Sequence, residues 1–162
     1  MDAPLQLSET AAAYLAGIID GEGHVGLERL PPSGKGVQYL LRVQVKTTSE
    51  ALSAWLVGVT EFGNNIQKLT DARGDRQTTY RWVVCGERAR QVLEAILPYL
   101  VIKRALARIA IEYQALSREE KIARGVEYCE RVKDQNLKRA WARTVGRQTS
   151  AGTPQPPCGV PS

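Results

Sequence analysis

Residues 15–23 run Leu15-Ala16-Gly17-Ile18-Ile19-Asp20-Gly21-Glu22-Gly23, an apolar helical segment that stops at an acid held between two glycines. A hydrophobic segment ordinarily ends by releasing its carboxylates into water. Here Gly21 and Gly23 hold Glu22 on a tight backbone where a buried helix finishes. An acid fixed at the mouth of an apolar interface suits a hard-metal ligand better than a solubilising charge. The small residues of the same segment form a second pattern. Ala13, Gly17 and Gly21 recur at i, i+4 and i+8, so they share one helix face. Glycine inside a helix costs about 1 kcal/mol relative to alanine. A small-residue stripe repays that by letting a second helix approach backbone to backbone; the alternative is packing beneath a bulky strand residue.

Outward from this segment the punctuation is regular. Ser8 or Thr10 caps the first helix, which is expected to run to about Asp20. Residues 24–30 form a strand, followed by the turn Pro31-Pro32-Ser33-Gly34-Lys35-Gly36. Residues 38–46 alternate, with Tyr39, Leu41, Val43 and Val45 on one face and Gln38, Arg42, Gln44 and Lys46 on the other; Leu40 is the apolar exception. Ser49 caps a second helix carrying Leu52, Trp55, Leu56 and Val59, expected to end at Gly63-Asn64-Asn65. A second hairpin spans 66–70 and 76–84, turning at Arg73-Gly74-Asp75. Ala89, Val92, Leu93, Ile96 and Leu97 mark a third helix stopped by Pro98. Residues 101–116 place Ile102, Leu106, Ile109 and Tyr113 on one side of a fourth, and Ser117-Arg118-Glu119-Glu120 is a capping box for the next.

The expected architecture is α+β, in the order α-β-β-α-β-β-α with C-terminal helices behind an antiparallel four-stranded sheet. Residues 1–145 are expected to form one domain. Residues 146–162, rich in Thr, Ser, Gly and Pro, are expected to form a disordered tail. One sheet face is apolar, with Val25, Leu27, Tyr39, Leu41, Val43, Val45, Tyr80, Trp82 and Val84, and must meet the helices. The other carries Glu28, Gln38, Arg42, Gln44, Lys46, Gln67, Gln77, Thr79 and Arg81. Gln and Arg are side chains that address adenine and guanine bidentately in the major groove, although any exposed sheet also needs long polar residues.

Charge agrees with a polyanionic partner. The 162 residues carry a formal charge of +5, distributed unevenly. Residues 1–60 hold four Lys/Arg against six Asp/Glu, whereas residues 61–162 hold eighteen against eleven. Cys85, Cys129 and Cys158 show no metal-ligand spacing and fit a reducing compartment. A single histidine, His24, excludes a metal cluster built on several. No run approaches the roughly 18 apolar residues of a membrane span, and Met1–Thr10 lacks the Lys or Arg of a targeting peptide. The protein is expected to work in the compartment of its gene, a prokaryotic cytoplasm or an organelle interior, without a membrane or a small-molecule substrate.

Residues 15–23 resemble the signature of the LAGLIDADG homing endonucleases. Ile18 stands for Leu, Gly21 for Ala and Glu22 for Asp, and the family tolerates the last two. The succession of elements resembles that fold along nearly the whole chain. The resemblance implies a curved sheet whose polar face enters the DNA major groove, with Arg42, Gln44 and Arg81 addressing bases. It implies that basic residues at edges and flanks, Lys138 and Arg139 among them, hold phosphates. One motif supplies one acid, so it implies a homodimer packed through Ala13, Gly17 and Gly21, with two Glu22 side chains adjacent. Glu22 and the Gly21 carbonyl would hold Mg²⁺, for which Mn²⁺ would substitute, and Asp20 would be a structural cap.

A second resemblance lies at Pro98-Tyr99-Leu100-Val101-Ile102-Lys103, where the family carries a Pro-aromatic-Leu-x-x-Lys segment whose lysine reaches the active-site solvent. Lys103 matches that lysine and would stabilise charge developing on phosphate. Thr47 or Lys46 sits where the family organises water, but Ala51 departs from the arginine found in relatives. The implied activity is double-strand cleavage of a long, roughly palindromic DNA site, one phosphodiester per strand across the minor groove, promoting intron or intein-like mobility. An RNA maturase, a catalytically inactive DNA-binding regulator and a plain scaffold dimer are the alternatives. The last two have no use for an acid at Glu22.

Overall fold

The computed structural model describes residues 4–31, 34, 36–61, 67–69 and 78–149, the segments 67–69 and 141–149 as backbone alone. Helix α1 spans Glu9–Glu22, and the Ser8 side chain accepts the Ala11 N–H at 3.2 Å to cap it. The helix continues through Gly21 to Glu22, two residues past the expected end at Asp20. A single helical glycine weakens a helix without breaking it. The stop comes at Gly23, whose N–H turns back to the Ile18 and Ile19 carbonyls. A Cβ on residue 23 would lie 2.7 Å from the Ile19 backbone, so this close approach requires glycine.

Strand β1 (Gly23–Arg29) therefore starts directly from the helix. It pairs antiparallel with β2 (Tyr39–Thr47), which pairs with β4 (Thr79–Cys85), and β4 pairs with the three-residue β3 (Gln67–Leu69), giving the order β1-β2-β4-β3. The architecture is α+β, as expected. The Arg73-Gly74-Asp75 turn and Gln77 lie outside the described residues. Helix α2 (Glu50–Thr60) is capped by Ser49 and ends before the expected Gly63-Asn64-Asn65. Glu61 adopts the left-handed conformation (φ 52°) and sends its N–H to the Val57 carbonyl, closing the helix without glycine.

Helix α3 (Gly86–Ile96) leads through a short 3₁₀ turn at Leu97–Tyr99 to α4 (Arg104–Ala115). The fourth helix begins three residues later than its apolar pattern implied. Val101, Ile102 and Lys103 direct their N–H groups to Asp20, leaving Ile102 53% exposed rather than in the core stripe. The capping box opens α5 (Arg118–Thr149): Ser117 Oγ accepts from the Glu120 N–H at 3.2 Å, and Glu120 Oε2 accepts from the Ser117 N–H at 2.9 Å. Helix α5 passes Gly146 to Thr149, and residues 150–162, with Cys158, lie outside the described residues.

The core lies between the apolar sheet face and the helices. Leu15 and Ile19 of α1, Val25, Leu41, Val43, Val45, Trp82 and Val84 of the sheet, and Leu93, Ile96 and Leu106 of the outer helices are buried. Burial of each large apolar side chain stabilises the fold by about 1.5–3 kcal/mol. Residues opposite one another match in kind, with Val25 on Val43, Val43 on Val84 and Val45 on Trp82. Cys85 and Cys129 are free thiols. Among the described residues, no helix is long and apolar enough to cross a membrane.

Candidate active site and nucleic-acid interface

Three chain reversals converge at one end of the sheet. Helix α1 enters β1 at Gly23, β2 leaves at Thr47, and β4 begins at Thr79. The register Gly23 to Val45, Lys46 to Arg81 and Thr47 to Tyr80 aligns them. Glu22, Lys46, Thr47, Thr48 and Thr79 line an open concavity of about 520 Å³ there. Glu22 is exposed and ends its helix, with the Gly21 carbonyl one residue earlier. A carboxylate and a main-chain carbonyl are hard oxygen donors of the kind Mg²⁺ takes. The Thr47 hydroxyl accepts the Ser49 N–H at 3.0 Å, so it also shapes the turn into α2.

Beneath Glu22, two residues exchange groups. Asp20 is 7% exposed, and its carboxylate accepts the N–H groups of Val101 (2.7 Å), Ile102 (3.0 Å) and Lys103 (2.8 Å). Lys103 is 2% exposed, and its Nζ donates to the Asp20 carbonyl at 2.8 Å and to the Ile19 carbonyl. A carboxylate thus sits at the N-terminus of α4 and an ammonium at the C-terminus of α1, each opposite the favourable end of a helix dipole. Asp20 acts as a cap, as its position implied. Lys103 is buried under the turn that ends α1, with its ammonium on the Ile19 and Asp20 carbonyls.

The remaining residues singled out in the sequence distribute along the sheet. On its outer face Gln67, Arg81 and Lys46 stand in one cross-strand row. His24, Gln44 and Val83 form the next, and Gly26, Arg42 and Cys85 the one beyond. Glu28 lies farther out and binds Arg42 at 2.6 Å. Gln38 precedes β2 at the opposite end from Glu22, where it lines a separate concavity with Tyr39, Tyr113, Arg118, Lys121 and Ile122. Lys138 is exposed and paired with Asp134 at 2.8 Å, whereas Arg139 is half-buried and donates to Asn136 Oδ1 at 3.2 Å. Ala13, Gly17 and Gly21 form an exposed face of α1, and no atom lies within 4 Å of where a Cβ on Gly17 or Gly21 would stand.

Solved structures with this arrangement are known. The chain is similar to the homing endonuclease I-CvuI in complex with a DNA target, with a TM-score of 0.66 and 18% identity over 78% of this chain and 82% of that one. It is similar to the archaeal intron-encoded homing endonuclease I-Vdi141I complexed with DNA, with a TM-score of 0.64 and 12% identity over 78% and 84%. The LAGLIDADG meganuclease I-AabMI bound to uncleaved DNA matches with a TM-score of 0.55 and 17% identity, over 71% of this chain but 40% of that one. This is the LAGLIDADG homing-endonuclease fold. No protein-family model and no curated protein matches the sequence.

Within that fold the sequence reading passed over His24. Its ring lies along β1 over Gly26, with Nε2 2.8 Å from where a Cβ on residue 26 would stand. Desolvation of the ring, then the positive charges of Lys103, Arg139 and Arg42, hold its pKa below the ordinary value. The available signal was parity: extending the period-two pattern of β1 back from Glu28 puts Gly26 and His24 on the polar face. Among the described residues, no group of three or more His, Cys, Asp or Glu side chains is placed to share a metal.

Proposed function

We propose that this chain is a site-specific DNA endonuclease of the LAGLIDADG family, a single domain that works as a homodimer and cuts one phosphodiester per strand. The observation that carries this reading is the position of Glu22. It is exposed, at the last residue of a helix whose Ala13–Gly17–Gly21 face is open, at the sheet end where Lys46, Thr47 and Thr79 gather. A second copy packed on that face brings a second Glu22 alongside the first.

Mg²⁺ would be held by Glu22 and the Gly21 carbonyl and, when bound, would supply an activated water and neutralise charge on the phosphate oxygens. Solved structures of I-CvuI with DNA in the presence of Mg and of Ca support a divalent ion. Lys103 holds the Ile19 and Asp20 carbonyls and so fixes the turn that aims Glu22. Lys46 and Thr47 border the same space and serve to position water and the scissile phosphate. Arg42, Gln44 and Arg81 face the groove floor, while Lys138 sits where it reaches backbone phosphate.

The test is incubation of the protein with duplex DNA from an intron-free homologous locus and with a randomised duplex library, with and without Mg²⁺. A discrete double-strand cut that requires the metal is expected. Cleavage independent of metal, or no cleavage of any duplex, contradicts the reading.

A further inference from the structure

We infer that His24 is a specificity-determining side chain that contacts a base edge, and that Gly26 sets its orientation. The inference rests on the DNA-endonuclease reading and names a contact within it. His24 belongs to the outer face, directly across from Gln44. It stands one cross-strand row inward of Gly26 and Arg42, and so closer to Glu22. Gly26 is buried although it has no side chain, and the three atoms nearest its empty Cβ position all belong to the His24 ring. The bare backbone at residue 26 is what lets the imidazole lie along the strand.

The ring borders a cavity of about 280 Å³ whose other walls are Gly26, Leu27, Glu28, Arg42 and Gln44. Arg42 and Glu28 bind each other across it at 2.6 Å. Beside that pair, the imidazole and the Gln44 amide are the further polar groups that this part of the face offers to a ligand. An imidazole N–H donates to an acceptor edge such as purine N7, guanine O6 or thymine O4, all of which line the major groove. Its place in the rows sets the position it addresses, inward of the base pair that Arg42 meets.

Substitution at residue 26 separates orientation from identity. The atoms nearest a Cβ there belong to the far end of the imidazole, so the ring is expected to turn while the strand keeps its path. The experiment profiles cleavage by wild type, His24→Ala and Gly26→Ala on single-base substitutions of a target selected from a randomised duplex library. Thermal melting reports the fold of each variant. His24→Ala is expected to relax preference by about tenfold at one or two adjacent base pairs, the worth of one hydrogen bond. Gly26→Ala is expected to change preference at those same pairs, and Arg42→Ala at pairs farther from the cut. A profile unchanged in His24→Ala, or one lowered equally at every position, overturns the inference while leaving the endonuclease reading intact. A wild type that cleaves no duplex overturns both.

Discussion

Asp20 and Glu22 lie two residues apart on the last turn of α1, yet Asp20 is 7% exposed and Glu22 is open to solvent. Around Asp20 every contact is internal: three N–H groups converge on its carboxylate, and Lys103 closes the same junction from the other side. Around Glu22 there is an open concavity lined by threonine hydroxyls and a lysine. A buried charge persists only when hydrogen-bonded on all sides. Glu22, left exposed above that junction, is the acid that the proposed reading assigns to the metal. One carboxylate thus builds the platform, and its neighbour is presented by it.

Breaking the presented acid has the largest expected effect. Glu22→Gln keeps the shape but removes the charge, so cleavage should fall by roughly 10³ or more, a loss of about 4 kcal/mol in transition-state stabilisation. DNA binding should stay equal or rise, because repulsion between two acids and the phosphates is removed. Gel shift and cleavage on the same duplex would check the split. Wild-type cleavage would show that a different acid carries the reaction.

Breaking the platform should read out in stability. Asp20→Asn turns an acceptor into a donor against backbone N–H groups, at a cost of roughly 2–4 kcal/mol. For a chain of this size that lowers Tm by about 5–15 °C. Thermal melting without DNA measures it, and an unchanged Tm would mean the three contacts are dispensable. Lys103→Met lies between the two regions, because its ammonium supports the turn that carries Glu22. A rate loss of roughly 10² is expected, on the scale of a lost electrostatic stabiliser. Half-saturating DNA should move little, and Lys103→Arg should recover part of the rate. Equal losses of rate and affinity would mean that Lys103 supports the DNA-binding fold as a whole and not the aim of Glu22.

The division between these regions was legible in part. Periodicity and capping residues are local signals, so Ser8, Ser49, the capping box at Ser117 and the alternation of β2 all appeared in the sequence. The acid between two glycines was equally local. The Asp20–Lys103 exchange joins positions 83 residues apart and leaves no periodic trace. For the same reason α4 begins later than its apolar stripe: the N–H groups of 101–103 are drawn to Asp20 before the helix starts. Glu61 closing α2 was hidden because a left-handed cap at a non-glycine residue has no composition signal. The parity of His24 with Glu28 is a local signal, but its contact with the bare backbone of Gly26 is not.

The smallest effects sharpen the comparison along the sheet. Arg81→Ala should relax preference at one or two base pairs, at about 1–3 kcal/mol per lost bidentate contact. Lys138→Ala should weaken binding to all sequences alike and reduce the salt slope by about one. Profiling both on single-base target substitutions separates them. Unchanged preferences in Arg81→Ala would move the base-contacting surface elsewhere.

The central claim, one Glu22 per strand in a symmetric pair, is tested most directly with a mixed dimer. Differently tagged wild-type and Glu22→Gln chains, co-expressed and purified through both tags, are given a supercoiled plasmid carrying the selected target and Mg²⁺. The account predicts linear product from the wild-type dimer, nicked circles from the mixed dimer and intact supercoil from the doubly substituted one. Linear product from the mixed dimer at the wild-type rate would contradict it.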